Sequence, residues 1–245
     1  MTATTQTPFY RPDGVTPTRL GTILITGGSS GLGAATAAAV QAAGGTPLVL
    51  DRVQPTTSVT YQQVDLADTA AAAAAVDSVM KAAGGRLDGI FTAAGIDACG
   101  RLDEVPADDW ERVIRVNLLG TAAVVRAALP YLRRSNGRVV TCASTLGIKA
   151  VSDATAYCAS KFGVVGFTRA LAAETAGEVG VTLLIPGGMH THFFDNRTAQ
   201  YKPPPDAVLN APEDVAAAVV FALSQPPGCE LRELVICCST ESSWP

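Results

Sequence analysis

The sequence has little of what several protein classes require. Its 245 residues contain two histidines, and the six cysteines include no Cys-x-x-Cys pair. Neither a disulfide framework nor a cysteine-rich zinc site is indicated, and the thiols are typical of small buried apolar groups in a reducing, cytoplasmic compartment. Acidic residues outnumber basic ones, 22 to 18, which gives a net charge of −4 without a basic stripe. Nucleic acid is therefore not an expected partner.

Long apolar runs are absent as well. None approaches the ~20 residues of a membrane span, and the amino-terminal end lacks a signal-peptide pattern. Residues 1–18 are rich in threonine and proline, which predicts a flexible tail. Residues 19–245 are predicted to form one domain, because 48% apolar residues suffice for a core. His190 and His192 lie on a predicted loop, where substrate contact or solvation is favoured over metal binding.

Short apolar runs alternate with alanine-rich helical segments along the chain. Strands are predicted at 22–26, 46–50, 60–64, 88–92, 137–143, 180–185 and 231–237, and helices at 31–43, 68–83, 107–133, 155–176 and 212–224. Strands that alternate with helices indicate βαβ units and a parallel sheet. The predicted fold class is α/β, a Rossmann-type doubly wound parallel sheet of about seven strands flanked by helices in a single domain.

A glycine-rich turn follows the first predicted strand. The segment Thr26–Gly33 reads Thr-Gly-Gly-Ser-Ser-Gly-Leu-Gly and leads into a helical stretch. Glycines let backbone amides approach a pyrophosphate, and the following helix amino terminus offers unpaired N–H groups. The spacing Gly27-x-x-x-Gly31-x-Gly33 differs from the common Gly-x-Gly-x-x-Gly. A dinucleotide turn is predicted, with a glycine turn that binds no ligand as the alternative.

Asp51 ends the second predicted strand, eighteen residues after Gly33. An acidic residue about 20 residues on is where dinucleotide folds hold the adenosine ribose. Its charge would repel a 2′-phosphate by about 4 kcal/mol at ~4 Å near a surface. NAD is therefore expected, and NADP is the alternative because Arg52 could neutralise Asp51 or receive the phosphate.

A second motif joins Ser144 with Tyr157 and Lys161. If the segment is helical, Tyr157 and Lys161 share one face. A free phenol titrates near pH ~10, and a neighbouring ammonium lowers that pKa, so Tyr157 is predicted to exchange protons at neutral pH. Ser144 follows a predicted strand, at the end where open α/β sheets bind ligands. Taken alone, Tyr-x-x-x-Lys also fits a helix surface with a solvated lysine.

Taken together, these motifs resemble those of the short-chain dehydrogenase/reductase family, over Thr22 to Val235. The resemblance implies a catalytic set of Asn117, Ser144, Tyr157 and Lys161. The cofactor-binding residues that it implies are Gly27, Ser29, Ser30, Gly31, Leu32, Gly33, Asp51, Arg52, Asp65, Leu66, Ala94, Gly95, Tyr157, Lys161, Pro186, Gly187, Met189 and Thr191.

The resemblance also implies an activity. It is the NAD(P)-dependent interconversion of a secondary alcohol and a ketone, or of a related hydroxy acid or aldehyde. Ser144 would hold the substrate oxygen, and Asn117 would order a water leading from Lys161. A homo-oligomer, tetramer or dimer, is expected through the helices at 107–133 and 155–176. A non-catalytic dinucleotide-binding regulator and an NADPH-dependent ketoreductase that tailors a natural product are the alternatives.

Two features depart from the family pattern. Thr92-Ala93-Ala94-Gly95 replaces the usual Asn-Asn-Ala-Gly, which predicts weaker bracing of the central strand. The carboxyl-terminal segment 239–245 lacks the common Asp-Gly-Gly ending.

The longest irregular stretch is 187–210, which is predicted to form a lid over the substrate. Phe193 and Phe194 would then line an apolar pocket, although anchoring of the loop to the core explains them equally well. The predicted substrate residues are Ser144, Leu146, Tyr157, Gly188, Phe193 and Phe194. The identity of the alcohol or carbonyl substrate and the reaction direction are left open.

Overall fold

A single parallel sheet organises the protein. The computed structural model describes residues 20–244, so the tail predicted for residues 1–18 lies outside the described residues. The strands are β1 (Thr22–Thr26), β2 (Thr46–Asp51), β3 (Thr60–Gln63), β4 (Gly89–Thr92), β5 (Arg138–Cys142), β6 (Gly180–Pro186) and β7 (Glu233–Ile236). Their spatial order is β3-β2-β1-β4-β5-β6-β7, with every pair parallel. The predicted seven-stranded doubly wound sheet is confirmed, and its direction of winding reverses between β1 and β4.

Helices cover both faces of this sheet. They are α1 (Gly31–Ala42), α2 (Thr69–Ala82), α3 (Ala107–Ile114), α4 (Thr121–Ser135), α5 (Thr155–Glu174) and α6 (Pro212–Leu223). Side chains alternate across a strand, so Leu24 of β1 packs toward α2 and α4 while Ile23 and Ile25 pack toward α1 and α6. The strands β1, β2, β4, β5 and β6 are buried over most of their length because helices cover both faces of the sheet, which is why sequence patterning located them. The edge strand β3 is polar and contains no buried residue.

The helical region after β4 is not one regular helix. The sequence predicts a helix over 107–133, whereas the structure has a π-helical segment, Arg115–Gly120, between α3 and α4. Asn117 lies on this segment and is buried. π-helical turns within α-helices occur frequently at functional sites. The apolar composition of the segment carries no signal that separates a π turn from an α turn.

The region Ala107–Ser135 also has the length and mean hydropathy, 1.4 in its most apolar window, of a membrane span. Charged residues interrupt it, which is why no uninterrupted apolar run of that length is visible in the sequence. Val124, Val125, Ala128 and Leu132 of this region are buried in the core beside the sheet. Buried core helices commonly have this hydropathy, so the feature indicates packing in this structure.

Candidate active site

The glycine turn connects β1 to α1 at the point where the sheet reverses direction. Gly27 and Gly31 have φ of +70° and +50°, in the left-handed region that favours glycine. A Cβ at Gly33 would lie 2.1 Å from the Gly27 carbonyl oxygen, and a Cβ at Gly27 would lie 2.8 Å from Ala94 Cα. The glycine turn, the start of α1 and the loop after β4 therefore pack closely here, and neither Gly27 nor Gly33 has room for a side chain.

The amino terminus of α1 faces this turn. Ser30 occupies the N-cap position, but no side chain caps the helix, and its first turn contains no acidic residue. The first amides of α1 therefore lack a capping acceptor from Ser30, and no acidic residue of the first turn offsets the positive end of the helix dipole. Both properties fit the binding of a pyrophosphate.

Asp51 lies beside the glycine turn, at the end of β2. Its Oδ2 accepts a hydrogen bond from the Ser29 backbone N–H at 3.0 Å, and its Oδ1 accepts one from the Val53 N–H at 3.1 Å. Both bonds orient the carboxylate next to the turn. The side chain is half-buried, so it retains access to a ligand.

Arg52 does not neutralise Asp51, contrary to one possibility that the sequence raised. Its guanidinium is 59% exposed and lies 3.9 Å from the carboxylate of Asp65. Asp65 itself pairs with Arg112, whose Nη2 donates to Oδ2 at 2.7 Å. The acidic partner of Arg52 is therefore on the loop after β3, because the strand order brings that loop alongside the end of β2.

Asp65 is held by several donors. Burial alone would raise the pKa of this carboxyl, but bonds from Arg112 and the Ala67 N–H, with the charges of Arg112 and Arg52, bring it below its usual value. The next residue, Leu66, is buried, and its carbonyl oxygen would lie 2.7 Å from a Cβ placed on Gly120. Asp65, which the family resemblance places beside an adenine, therefore also forms an ion pair with Arg112 that links the loop after β3 to α3.

Ser144, Tyr157 and Lys161 come together beside the carboxyl end of β5. Ser144 follows β5 and caps a short 3-10 turn, since its Oγ accepts from the Leu146 N–H at 3.1 Å. Tyr157 and Lys161 lie on consecutive turns of α5 and are 8% and 3% exposed. The Lys161 Nζ lies 5.6 Å from the centre of the Tyr157 ring and donates to the Cys142 carbonyl oxygen at 2.9 Å.

The protonation of this pair differs from the expectation drawn from spacing. Burial raises the pKa of Tyr157 well above that of a free phenol, and the nearby Ser144 hydroxyl only partly offsets this. Burial likewise lowers the pKa of Lys161. The predicted lowering of the Tyr157 pKa by Lys161 is therefore not found, because the ammonium is directed to Cys142 and both groups are desolvated. Burial of the Tyr157 side chain therefore favours its neutral phenol.

Asn117 uses its side-chain amide to join two elements. Its Oδ1 accepts from the Ile96 N–H at 2.8 Å, and its Nδ2 donates to the Ile96 carbonyl at 2.8 Å and to Ser160 Oγ at 3.0 Å. A Cβ on Gly95 would lie 3.6 Å from Asn117 Oδ1 and 3.5 Å from Lys161 Nζ, so both groups border this glycine. The family resemblance implies that Asn117 orders a water. The structure shows that Asn117 also holds the loop after β4 through Ile96.

This bracing compensates for the residues that replace the usual Asn-Asn pair. The Ala94 N–H donates to Thr26 Oγ1 at 3.2 Å, and Asn117 holds Ile96. Thr92 Oγ1, by contrast, is buried and has no hydrogen-bond partner among residues 20–244. The central loop is therefore held by neighbouring elements, whereas the sequence predicts weaker bracing.

The turn after β6 closes the other side of the site. Thr191 lies close to the glycine turn, since its Cγ2 would be 3.3 Å from a Cβ on Gly31. Pro186 ends β6, Gly187 N–H donates to the Ile236 carbonyl oxygen at 2.9 Å, and Met189 packs with the apolar cluster around β1. The segment Pro186–Thr191, which the family resemblance assigns to cofactor binding, thus lies next to the glycine turn that is predicted to bind the pyrophosphate.

Glu241 is a residue of this region that the sequence gave no reason to select. Its Oε2 accepts from the Gly188 N–H at 2.9 Å, and its Oε1 accepts from Ser243. Burial alone would raise the pKa of Glu241, but these hydrogen bonds bring it below its usual value. The Ser243 hydroxyl also forms a hydrogen bond with the hydroxyl of Thr145, the residue after Ser144. The carboxyl-terminal segment therefore links the Pro-Gly turn to the segment that contains Ser144.

The aromatic residues of the long loop face the same centre. The Phe193 ring lies 5.6 Å from the Tyr157 ring and 5.5 Å from the Phe194 ring, centre to centre. Leu146, two residues after Ser144, is half-buried. A cleft of ≈ 700 Å³ separates the glycine turn from this loop, and its lining includes Gly31, Thr191 and Phe194.

The two histidines lie at the start of the same loop. His192 Nδ1 is 2.7 Å from Asp195 Oδ2, and the His190 backbone N–H donates to Asn210. Within residues 20–244, no three His, Cys, Asp or Glu side chains gather in an arrangement suited to a metal ion.

Comparison with known proteins agrees with this geometry. The family model described as short chain dehydrogenase matches residues 21–202. The chain is 38% identical over 184 residues to 2-dehydro-3-deoxy-L-rhamnonate dehydrogenase (NAD(+)) of Sphingomonas sp. (strain SKA58), covering 70% of this chain and 73% of that protein. It is 32% identical over 221 residues to D-threitol dehydrogenase of Mycolicibacterium smegmatis, covering 82% and 85%.

A solved structure extends the similarity to the fold. Levodione reductase superposes with a TM-score of 0.80 at 26% identity, over 93% of this chain and 99% of that one. Family model, relatives and fold agree, and the similarity spans the glycine turn, the Ser-Tyr-Lys group and the seven-stranded sheet. The chain belongs to the short-chain dehydrogenase/reductase family of oxidoreductases.

Proposed function

We propose that the protein is an NAD-dependent oxidoreductase that interconverts a secondary alcohol and its carbonyl compound, with Tyr157 as general acid and base. One observation carries the proposal: the buried Ser144, Tyr157 and Lys161 stand at the end of β5, across from an uncapped helix amino terminus and its glycine turn. Family membership supports the oxidoreductase class, and two relatives are named as dehydrogenases of hydroxylated compounds.

The residues present fit a nicotinamide dinucleotide. The glycine turn and the amides of α1 would hold the pyrophosphate, Asp51 the adenosine ribose, and Thr191 with the Pro186–Gly188 turn the nicotinamide end. When bound, the cofactor accepts or donates a hydride. Lys161, buried beside Gly95, would donate hydrogen bonds to the ribose next to the nicotinamide.

The protein's own part is proton transfer. In carbonyl reduction, the neutral Tyr157 phenol donates its proton to the carbonyl oxygen, which the Ser144 hydroxyl holds by a hydrogen bond. In alcohol oxidation, Tyr157 must first be deprotonated, and its phenolate then accepts the proton of the alcohol hydroxyl. The ammonium of Lys161 would stabilise this phenolate by turning from the Cys142 carbonyl toward the phenolic oxygen of Tyr157. Phe193 and Phe194 exclude water from this exchange.

A substrate panel tests the proposal. The purified protein is incubated with NAD or NADP and alcohols that include D-threitol, a sugar acid and cyclohexanol, and in the reverse direction with NADH or NADPH and the corresponding carbonyl compounds. Reduced nicotinamide is followed by its near-ultraviolet absorbance. Turnover of at least one alcohol is expected. Cofactor binding without turnover of any alcohol or carbonyl compound would favour the non-catalytic regulator, and turnover restricted to NADPH would favour the ketoreductase alternative.

The two reaction directions are expected to depend on pH in opposite ways. Burial raises the pKa of Tyr157, so the phenolate needed for oxidation is scarce at neutral pH and increases as the pH rises. kcat/KM for alcohol oxidation should therefore increase with pH, whereas kcat/KM for carbonyl reduction should stay level and then decrease under alkaline conditions. Both profiles are measured at constant ionic strength. An oxidation profile that falls as the pH rises would contradict this assignment of Tyr157.

Asp51 is expected to set the preference for NAD. Asp51→Asn retains an oxygen that can accept from the Ser29 N–H but removes the charge that binds ribose hydroxyls and repels a 2′-phosphate. A charge-assisted bond contributes roughly 1.5–3 kcal/mol, so NADH affinity should fall by about tenfold or more. Calorimetric titration with NADH and NADPH measures both affinities.

Arg52→Ala is the matched control for this change. Arg52 is exposed and paired with Asp65, so its removal should leave NADH affinity unchanged. If the wild-type protein prefers NADPH and Arg52→Ala abolishes that preference, the assignment of Asp51 is wrong and Arg52 is the phosphate ligand.

A homo-oligomer and a cytoplasmic location stay predictions from the sequence. Leu119 and Phe162 are exposed at 46% and 44%, and Gly163 adjoins Leu118 in the same region of the π-helical segment and α5. This apolar surface supports the proposal that these elements meet a second copy of the chain.

A further inference from the structure

A buried ion pair joins the loop after β4 to the long loop after β6. Arg197 Nη2 donates to Asp97 Oδ2 at 2.5 Å, across one hundred residues of sequence. The Arg197 side chain is 18% exposed and the Asp97 side chain only 6%. No sequence motif includes either residue, and neither belongs to the catalytic set.

Asp97 is fixed from its own side of the pair. Its Oδ1 accepts from the Ala98 N–H at 2.7 Å, and Cys99 Sγ donates to Oδ2 at 3.1 Å. Burial, followed by this hydrogen bond, raises the pKa of the Cys99 thiol to about 12, so the thiol remains a donor. The preceding residue, Ile96, is held by Asn117. Asp97 is therefore an anchored acceptor on the rigid part of the protein.

Arg197 transfers this anchorage to the aromatic residues of the loop. Its guanidinium carbon lies 5.0 Å from the centre of the Phe193 ring and 4.7 Å from that of Phe194. Nη1 donates to the Tyr201 carbonyl oxygen at 3.1 Å, which fixes the direction of the planar group. Phe193 in turn packs at 5.6 Å against the ring of Tyr157. A continuous chain of contacts thus runs from Asp97 to Tyr157.

We propose that Asp97 and Arg197 are positioning residues that hold the Phe193 ring against Tyr157, and that Phe193 is thereby the wall that selects alcohols with an apolar carbon frame. The inference rests on the proposed function of Tyr157. The paired charges neutralise one another, so Arg197 places no unpaired charge beside the aromatic face that Phe193 offers the substrate. A planar guanidinium is required, because an ammonium cannot stack on two rings and bond a carboxylate at once.

Limited proteolysis tests the anchoring without any activity. Trypsin cleaves after arginine, and in the wild-type protein the pairing and burial of Arg197 should make cleavage between Arg197 and Thr198 slow. Asp97→Asn keeps the shape of the side chain but removes its charge, so cleavage into fragments 1–197 and 198–245 should become at least about tenfold faster. Equal cleavage rates in the two folded proteins would overturn the proposal.

Steady-state kinetics tests the selection. With NAD, the wild-type kcat/KM for cyclohexanol should exceed that for D-threitol by about tenfold or more. Asp97→Asn and Phe193→Ala should each reduce this ratio, mainly by raising KM for cyclohexanol, and the double variant should be no worse than Phe193→Ala alone. Preference for D-threitol in the wild-type protein, or full additivity of the two changes, would overturn the proposal.

Two further variants keep these outcomes interpretable. Arg197→Lys leaves Asp97 with a cationic partner but removes the guanidinium that stacks on Phe193 and Phe194. It therefore tests the stacking even if Asp97→Asn does not fold. This variant should raise KM for cyclohexanol with little change in kcat. Glu178→Gln removes an exposed ion pair of similar geometry, Arg133 with Glu178 at 2.7 Å, and should change neither proteolysis nor kinetics. Absence of turnover by the wild-type protein would refute the proposed function and the selection by Phe193, while the proteolysis result would still decide the anchoring.

Discussion

Replacement of Tyr157 by phenylalanine is expected to lower kcat by about 10²–10⁴-fold, the usual contribution of a positioned general acid or base. The phenyl ring of the variant retains the packing against Phe193 and the burial in α5, so only the ionisable oxygen is lost. Affinity for NADH should change little, because the cofactor-binding glycine turn is untouched. Steady-state kinetics and calorimetric titration on the same preparation separate the two effects.

Tyr131→Phe provides the matched control. The Tyr131 hydroxyl also has a side-chain partner, Asp77 at 3.0 Å, but this pair lies between α2 and α4, away from the site. Removal of that hydroxyl should leave kcat unchanged. If Tyr157→Phe retained most of the wild-type kcat, another group would have to move the proton, and the proposed mechanism would be wrong.

Gly33→Ala is expected to weaken nucleotide binding strongly. The new Cβ would lie 2.1 Å from the Gly27 carbonyl oxygen and 2.6 Å from its carbon. These are backbone atoms of a tight turn and cannot rotate away, so α1 or the turn must shift. A steric conflict of this kind costs roughly 1–3 kcal/mol. If that cost falls on the binding-competent turn, the affinity for NADH should drop by up to about a hundredfold.

Gly166→Ala controls for the substitution itself. Apart from the adjacent backbone of its own helix, no atom of residues 20–244 lies within 4 Å of a Cβ at Gly166, which is an interior residue of α5. Alanine is favoured over glycine there by roughly 0.5–1 kcal/mol, so this variant should bind NADH normally and unfold at an equal or higher temperature. Thermal unfolding and NADH titration of both variants provide the comparison. Equal affinities in Gly33→Ala and Gly166→Ala would contradict the steric argument.

Local features of the chain were sufficient to predict the elements of the fold. The central strands are short and buried on both faces, and glycines lie near their ends, so the apolar runs at 22–26 and 180–185 correspond closely to β1 and β6. The turn chemistry is only partly local, since Gly33 is required by Gly27 a few residues away, whereas the close neighbour of Gly27 is Ala94 in the loop after β4. Spacing on a helix also predicted that Tyr157 and Lys161 would lie near each other.

Partner choice between distant side chains was not predictable in the same way. Arg52 could have paired with Asp51 or with Asp65, and only the relative positions of β2 and β3 decide between them. The raised pKa of Tyr157 depends on burial, which i,i+4 spacing does not reveal. Asp97 with Arg197, and Glu241 with Gly188, are contacts between segments more than fifty residues apart that share no motif.

The placement of β4 beside β1 has a consequence for how the chain folds. The ladder pairs Ile23 with Gly89 and Thr26 with Thr92, so its two strands come from distant parts of the chain. Parallel pairing over such separations is slow, because loop-closure entropy is lost before the contacts form. The unit β1-α1-β2 can assemble locally. The backbone contact between Gly27 and Ala94, however, forms only after β4 has paired with β1. The dinucleotide site that we propose is thus complete only in the finished sheet, and added dinucleotide should draw late folding intermediates toward the native state.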